Sequence, residues 1–126
     1  TNCDTIININ LDNLMHFHIT NKNAATLVVS SKEHVIPYGT CKLTKKGHLE
    51  KIVEKPKLDF FVNVGMYVLN TSLIKMIPKN KHYDMTDLIT LAKNKKKQIG
   101  VYPIDDDSWI DVGQWSEYHK AVDRLI

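Results

Sequence analysis

The stretch ATLVVS, residues Ala25–Ser30, is short, rich in β-branched side chains and almost continuously apolar. Such a run is typical of a strand that is buried on both faces, as in a sheet covered by helices. It follows the segment Leu11–Thr20, in which Leu11, Leu14 and Met15 lie close to one helical face. A helix followed by a buried strand predicts a layered α/β domain.

The rest of the chain adds further strands and helices to this unit. Strand-like runs at Tyr38–Leu43 and His48–Val53 flank a polar turn, Thr44–Gly47, and predict a hairpin whose second strand is ended by Pro56. The other predicted elements are a strand at Phe60–Leu69, a short helix at Thr71–Ile77, a helix at Thr86–Ala92 capped by Asp84 or Thr86, a strand at Ile99–Ile104, a strand-to-turn segment at Trp109–Gly113 and a final helix at Ser116–Ile126.

Length and composition set the class of protein. The chain has 126 residues, of which 43% are hydrophobic and 25% charged, as expected of a single globular domain. No apolar run approaches the roughly 18 residues of a membrane span, and the N-terminus carries no signal-peptide pattern. Cys3 and Cys41 form no Cys-x-x-Cys pair, so we expect reduced thiols in a cytoplasmic protein.

Charge and histidine spacing argue against two further classes of function. The net charge is +3, and the lysines of Lys42–Lys57 and Lys93–Lys97 have no interleaved aromatic residues, so nucleic acid is not an expected partner. The histidines show no His-x-x-x-His spacing that would predict a zinc site.

Two aspartates near opposite ends of the chain are candidate ligands of a divalent cation. Asp4 lies close to a predicted strand, and Asp111 ends a strand ahead of the turn glycine Gly113. Magnesium is usually held by one or two carboxylates together with substrate phosphates. The alternatives are a solvated acid at the chain terminus and a turn aspartate that caps the last helix.

Two further motifs combine groups that bind small polar ligands. In Glu54-Lys55-Pro56 the proline fixes the chain direction after a lysine suited to a phosphate and a glutamate suited to sugar hydroxyls. In Asn63-Val64-Gly65 the glycine admits close approach of a ligand, and the asparagine both donates and accepts. The alternatives are a solvated ion pair for the first motif and a β-bulge without a ligand for the second.

The order of these motifs resembles that of the sugar-phosphate nucleotidyltransferases over essentially the whole chain. The most specific pieces are Val53-Glu54-Lys55-Pro56 and Trp109-Ile110-Asp111-Val112-Gly113, and Tyr83–Leu88 is most similar to the mannose-1-phosphate guanylyltransferase-like branch. The resemblance implies a Rossmann-like α/β fold with a mixed sheet and flanking helices. It also implies transfer of a nucleotidyl group from a nucleoside triphosphate to a sugar 1-phosphate, with release of pyrophosphate.

The same resemblance implies individual roles. Asp4 and Asp111 correspond to the aspartates that hold Mg²⁺, and Lys55 to the lysine that contacts the sugar phosphate. Residues Gly39, Glu54 and Gly65 correspond to the sugar pocket, to which the pattern of Asn63-Val64-Gly65 adds Asn63.

The sequence departs from the family pattern at its start. The Gly-x-Gly-x-Arg segment that wraps the triphosphate in the family has no counterpart in residues 1–126. We therefore expect these residues to be the C-terminal, sugar-phosphate-binding part of a longer enzyme, inactive alone and prone to self-association through uncovered core. The alternatives are a non-catalytic interaction or regulatory module with a degenerate transferase fold and, less favoured, a basic nucleic-acid-binding domain.

Overall fold

A computed structural model describes residues 1–113, which form seven strands, three α-helices and one 3₁₀ turn. The described residues contain both helices and strands, as the sequence predicts. The elements are β1 (Thr5–Ile7), α1 (Leu11–Thr20), β2 (Ala25–Val35), β3 (Thr40–Leu43), β4 (Leu49–Val53), β5 (Lys57–Leu69), α2 (Thr71–Ile74), α3 (Met85–Asn94), β6 (Ile99–Ile104), a 3₁₀ turn (Asp106–Ser108) and β7 (Trp109–Asp111).

The predicted buried strand is the middle strand of a mixed sheet with the order β5-β2-β6. β2 pairs antiparallel with β5 and parallel with β6. Its first half is buried because helices cover it, and Ala25 and Val28 have no exposed surface. Leu14 of α1 packs with Val28 and Val64 on one side, while Leu73 and Ala92 pack with Ala25 in a second cluster.

Helix α1 is attached to β2 by buried polar groups as well as by apolar contacts. His18 is 4% exposed, and its Nδ1 lies 2.8 Å from Thr26 Oγ1 while its Nε2 lies 3.2 Å from Asn70 Oδ1. The Asn23 side-chain amide donates to the same Thr26 oxygen at 3.0 Å. These hydrogen bonds matter because a buried polar group without a partner lowers the stability of the fold.

Two small antiparallel pairs complete the described residues. The predicted hairpin is confirmed as the pair β3–β4. β1 pairs with β7, with Thr5 opposite Asp111 and Ile7 opposite Trp109. This second pair joins the two ends of the described chain, and it positions the candidate site.

The elements predicted within residues 1–113 are confirmed, and three of them differ in extent by three residues or more at one end. β2 continues to Val35 and β5 begins at Lys57, because these outer halves pair with each other along their length. The helix predicted over Thr71–Ile77 ends at Ile74. β1 and the 3₁₀ turn are not evident from the sequence, and the predicted helix Ser116–Ile126 lies outside the described residues. No helix within residues 1–113 is long and apolar enough to cross a membrane.

Candidate active site

The β1–β7 pair brings Asp4 and Asp111 together although 106 residues separate them in the sequence. Asp4 immediately precedes β1, and its backbone carbonyl accepts a hydrogen bond from Val112 N–H at 2.9 Å. Asp111 is the last residue of β7, and its Oδ1 accepts from Gly113 N–H at 3.0 Å. Backbone pairing and a turn therefore fix both residues.

The two carboxylates converge on the backbone of Gly113. A Cβ atom at Gly113 would lie 2.8 Å from Asp4 Oδ2 and 3.1 Å from Asp111 Oδ1. The two oxygens are therefore at most about 6 Å apart, the sum of those distances. The expected approach of these carboxylates is confirmed, and it depends on a glycine that leaves the space between them open.

This donor set fits a hard divalent cation. Carboxylate oxygens are the ligands that Mg²⁺ prefers, and one or two of them suffice when substrate phosphates supply further ligands. Within residues 1–113 no group of three or more His, Cys, Asp or Glu side chains is arranged to hold a metal by itself. The pair therefore suits a cation that arrives with a phosphate ligand.

Asn63 and Gly65 form a bulge in β5. Three residues, Val64 to Met66, face the single residue Val28 of β2. Gly65 has a φ of 80°, and its N–H donates to Asn63 Oδ1 at 3.0 Å. Its carbonyl accepts from Asn2 N–H at 2.9 Å, and the Asn2 amide occupies the space of a Cβ. The bulge thus supports the segment that carries Asp4.

The Glu54-Lys55-Pro56 motif lies in the connection from β4 to β5. Glu54 Oε2 is 2.9 Å from the position of a Cβ at Gly39, so these two predicted residues are in contact. Lys55 has a φ of 42°, in the left-handed region that a residue with a side chain rarely adopts. Strained backbone of this kind clusters at ligand sites.

Two groups of predicted residues therefore exist. One contains Asp4 and Asp111, with Gly65 connected through Asn2; the other contains Gly39, Glu54 and Lys55. Within the described residues no hydrogen bond or ion pair joins the two groups, and the Lys55 side chain makes neither.

A further group next to Asp111 is not evident from the sequence. Asp106 accepts hydrogen bonds from Ser30 and Trp109 and pairs with Lys32. The hydrogen bond and charge of Lys32 lower the pKa of the Asp106 carboxyl, although partial burial opposes this. In the sequence Asp106 stands between Asp105 and Asp107, and no local pattern distinguishes it from them.

Comparisons with known proteins agree with the resemblance. The chain is 28% identical over 109 residues to the bifunctional protein GlmU of Streptococcus thermophilus, an alignment that covers 76% of this chain and 24% of that protein. The relation to GlmU of Streptococcus pyogenes has the same extent. The chain therefore spans about a quarter of the length of these relatives.

Solved structures show the same fold. HddC from Yersinia pseudotuberculosis matches with a TM-score of 0.64 and 18% identity over 98% of this chain and 52% of that chain. The complex of HddC with GMP-PN matches with a TM-score of 0.60 and 20% identity over the same shares. The family model for nucleotidyl transferases matches residues 1–126, so this chain belongs to the nucleotidyl transferase family.

Proposed function

We propose that this chain forms the sugar-phosphate-binding part of an enzyme that transfers a nucleotidyl group from a nucleoside triphosphate to a sugar 1-phosphate. In this reaction an oxygen of the sugar phosphate attacks the α-phosphorus of the triphosphate, and pyrophosphate leaves. Such a reaction needs alignment and neutralisation of charge more than a covalent nucleophile. The observation that supports the proposal is the convergence of Asp4 and Asp111 at Gly113.

In the proposed site Asp4 and Asp111 would hold Mg²⁺. When bound, the cation would neutralise charge on the phosphates and align them. The chain's own contribution is to hold two carboxylates at one opening by backbone pairing, so that little reorganisation is needed when the substrates arrive.

The second group would bind the sugar phosphate. We assign to Lys55 the contact with the phosphate, because a lysine ammonium is a compact donor that suits a phosphate oxygen. Glu54 would accept from sugar hydroxyls, and its contact with Gly39 supports a shared pocket. Asn63 and Gly65 would line the same substrate from β5, although their present bonds are structural.

For the nucleotide we propose GTP. Support comes from the similarity of Tyr83–Leu88 to the mannose-1-phosphate guanylyltransferase-like branch, with mannose 1-phosphate as the matching acceptor. We further propose that the protein acts in the cytoplasm, which is consistent with the unpaired, exposed cysteines Cys3 and Cys41.

The test is pyrophosphate release by the full-length protein from each nucleoside triphosphate in the presence of Mg²⁺ and mannose 1-phosphate. We expect release that depends on both substrates, and a loss of at least about a hundredfold in Asp4→Asn and Asp111→Asn, since each removes a charge that faces the phosphates. Asp59→Asn is the matched control, because Asp59 is an exposed residue of β5. Binding of mannose 1-phosphate without any pyrophosphate release would favour the non-catalytic module instead.

A further inference from the structure

A single carboxylate oxygen, Asp106 Oδ1, contacts donor groups of three side chains from two strands. Lys32 Nζ lies 2.5 Å away, Trp109 Nε1 3.2 Å and Ser30 Oγ 3.3 Å. Lys32 Nζ also lies 5.3 Å from the centre of the Trp109 ring, within the range of a cation–π contact. We call Ser30, Lys32, Asp106 and Trp109 the Asp106 cluster.

The Asp106 cluster connects the main sheet to the strand that carries Asp111. Ser30 belongs to β2, the middle strand of the main sheet, and has no exposed surface. Trp109 begins β7 and Asp111 ends it, so the two side chains lie on the same face of that strand.

β7 is short, and its contact with the core comes from Trp109, which packs against the cluster of Leu14, Val28 and Val64. β7 contains three residues, and its strand partner β1 also contains three. Two strands of this length are marginal without further support. The Asp106 cluster supplies that support through a charge-assisted contact and two hydrogen bonds, which are stronger when one partner is ionised.

We propose that Asp106 is a positioning residue for the candidate cation site: it fixes Trp109 and, through β7, sets the Asp111 carboxylate opposite that of Asp4. This inference rests on the proposed function, because it concerns the same two carboxylates. Mg²⁺ demands nearly ideal coordination geometry, so a shift of β7 weakens the site even when both ligands remain.

The test uses the 126-residue chain with Mn²⁺ as the probe, titrated with and without inorganic phosphate, because two carboxylates leave coordination positions for a phosphate oxygen. Binding is followed by paramagnetic broadening of the Gly113 amide signal, and the position of the indole by the Trp109 Nε1–H signal. We expect Asp106→Ala to weaken Mn²⁺ binding roughly three- to tenfold, below the ten- to hundredfold typical of a group bonded directly to a ligand. Asp106→Asn keeps an acceptor oxygen for Trp109 and Ser30 but loses the charge that pairs with Lys32, so it should restore part of the affinity.

Glu33→Gln is the matched control for a general effect of losing a surface ion pair. Glu33 pairs with Lys57 at 3.1 Å between β2 and β5, away from β7, so this variant should leave Mn²⁺ binding and the indole signal unchanged. If the role of Asp106 is merely structural, both Asp106 variants should lose thermal stability. Asp106→Asn should then bind Mn²⁺ no more tightly than Asp106→Ala.

The outcomes separate the two proposals. If Asp4→Asn and Asp111→Asn abolish Mn²⁺ binding but Asp106→Ala leaves it unchanged, the positioning role is wrong and the cation site stands. If Asp4→Asn and Asp111→Asn also leave Mn²⁺ binding unchanged, or if the unsubstituted chain binds no Mn²⁺ with or without phosphate, the cation site is wrong and the positioning role fails with it.

Discussion

At the scale of single residues, Gly113 illustrates how an absent side chain shapes a site. The carboxylates of Asp4 and Asp111 both approach the position that a Cβ would take. The ends of flexible side chains can move away from an added methyl group, so a substitution here costs little stability. It does change the relative position of the two carboxylates, because both must move away from the methyl group.

We expect Gly113→Ala to lower Mn²⁺ affinity by about tenfold, an effect typical of disturbing the surroundings of a metal ligand. The free energy of unfolding should change by less than about 1 kcal/mol. Gly47→Ala is the control with the opposite expectation. Its φ of 82° makes a side chain cost about 1–2 kcal/mol in the free energy of unfolding. Because Gly47 lies in the β3–β4 turn, Mn²⁺ affinity should not change. Titration with Mn²⁺ and urea denaturation measure both quantities. Unchanged Mn²⁺ affinity in Gly113→Ala would contradict the assignment.

The neighbouring lysines Lys55 and Lys57 provide a second comparison between residues. Lys55 has a left-handed backbone and no side-chain partner within residues 1–113, whereas Lys57 pairs with Glu33 at the surface. In the full-length protein Lys55→Ala should raise KM for the sugar 1-phosphate by about ten- to a hundredfold. This corresponds to the loss of a charge-assisted hydrogen bond of about 1.5–3 kcal/mol.

Lys57→Ala should change KM for the same substrate less than about threefold, because exposed ion pairs contribute little. Steady-state kinetics with each substrate varied in turn make the comparison. Equal small effects of the two lysines would mean that Glu54-Lys55-Pro56 is only the end of a strand. A loss confined to the triphosphate would mean that Lys55 faces the other substrate.

At the scale of elements, one hydroxyl accounts for much of the polar contact between α1 and β2. Thr26 Oγ1 serves both His18 Nδ1 and the Asn23 amide, and all three residues are buried. Thr26→Val keeps the shape but leaves two buried groups without this partner, which should cost about 2–3 kcal/mol in the free energy of unfolding. Thr90→Val on the exposed face of α3 is the control and should cost less than about 1 kcal/mol. Equal costs in urea denaturation would show that the buried network contributes nothing.

Elements with a local signature could be predicted from the sequence, and those defined by distant partners could not. The apolar run of β2 indicates a central strand, and the turn residues indicate the β3–β4 hairpin. By contrast, β1 is a three-residue strand without periodicity, and its partner β7 lies more than a hundred residues away. The outer half of β2, Ser31–Val35, is mostly exposed and becomes a strand only through its pairing with β5.

The candidate site divides in the same way. Asp4 and Asp111 could be selected because recognisable motifs surround them. Their approach in space could be expected because the family that the motifs resemble uses both aspartates to hold one cation. The Asp106 cluster could not, because three consecutive aspartates look alike until the tertiary fold places one of them between Ser30, Lys32 and Trp109.

At the scale of the whole molecule, the described residues leave apolar surface uncovered. Leu11, Met15 and Ile19 recur every fourth residue of α1 and form a stripe on that helix. Their exposed fractions are 58%, 43% and 66%. The first half of β2 is covered, and exposed apolar side chains also occur on the outer half of β5, at Leu58, Phe60 and Phe61, and in the β3–β4 hairpin, at Leu43, Leu49 and Ile52.

We expect the 126-residue chain to self-associate through the α1 stripe, because contiguous exposed apolar surface is rare on stable monomers. Sedimentation velocity should show an average sedimentation coefficient that rises with concentration. Met15→Glu should shift the association to higher concentration, while His16→Glu, which adds the same charge beside the stripe, should not. A monomer at every concentration would contradict this expectation.

The proposed transfer requires that Asp4 and Asp111 together bind a divalent cation. The most direct measurement is the anomalous scattering of a crystal of the protein soaked with Mn²⁺ and mannose 1-phosphate. We expect one anomalous peak at Gly113, within direct coordination distance, about 2.1–2.3 Å, of oxygens from both carboxylates. An ordered sugar phosphate with no peak between Asp4 and Asp111, or a peak held by other residues, would contradict it.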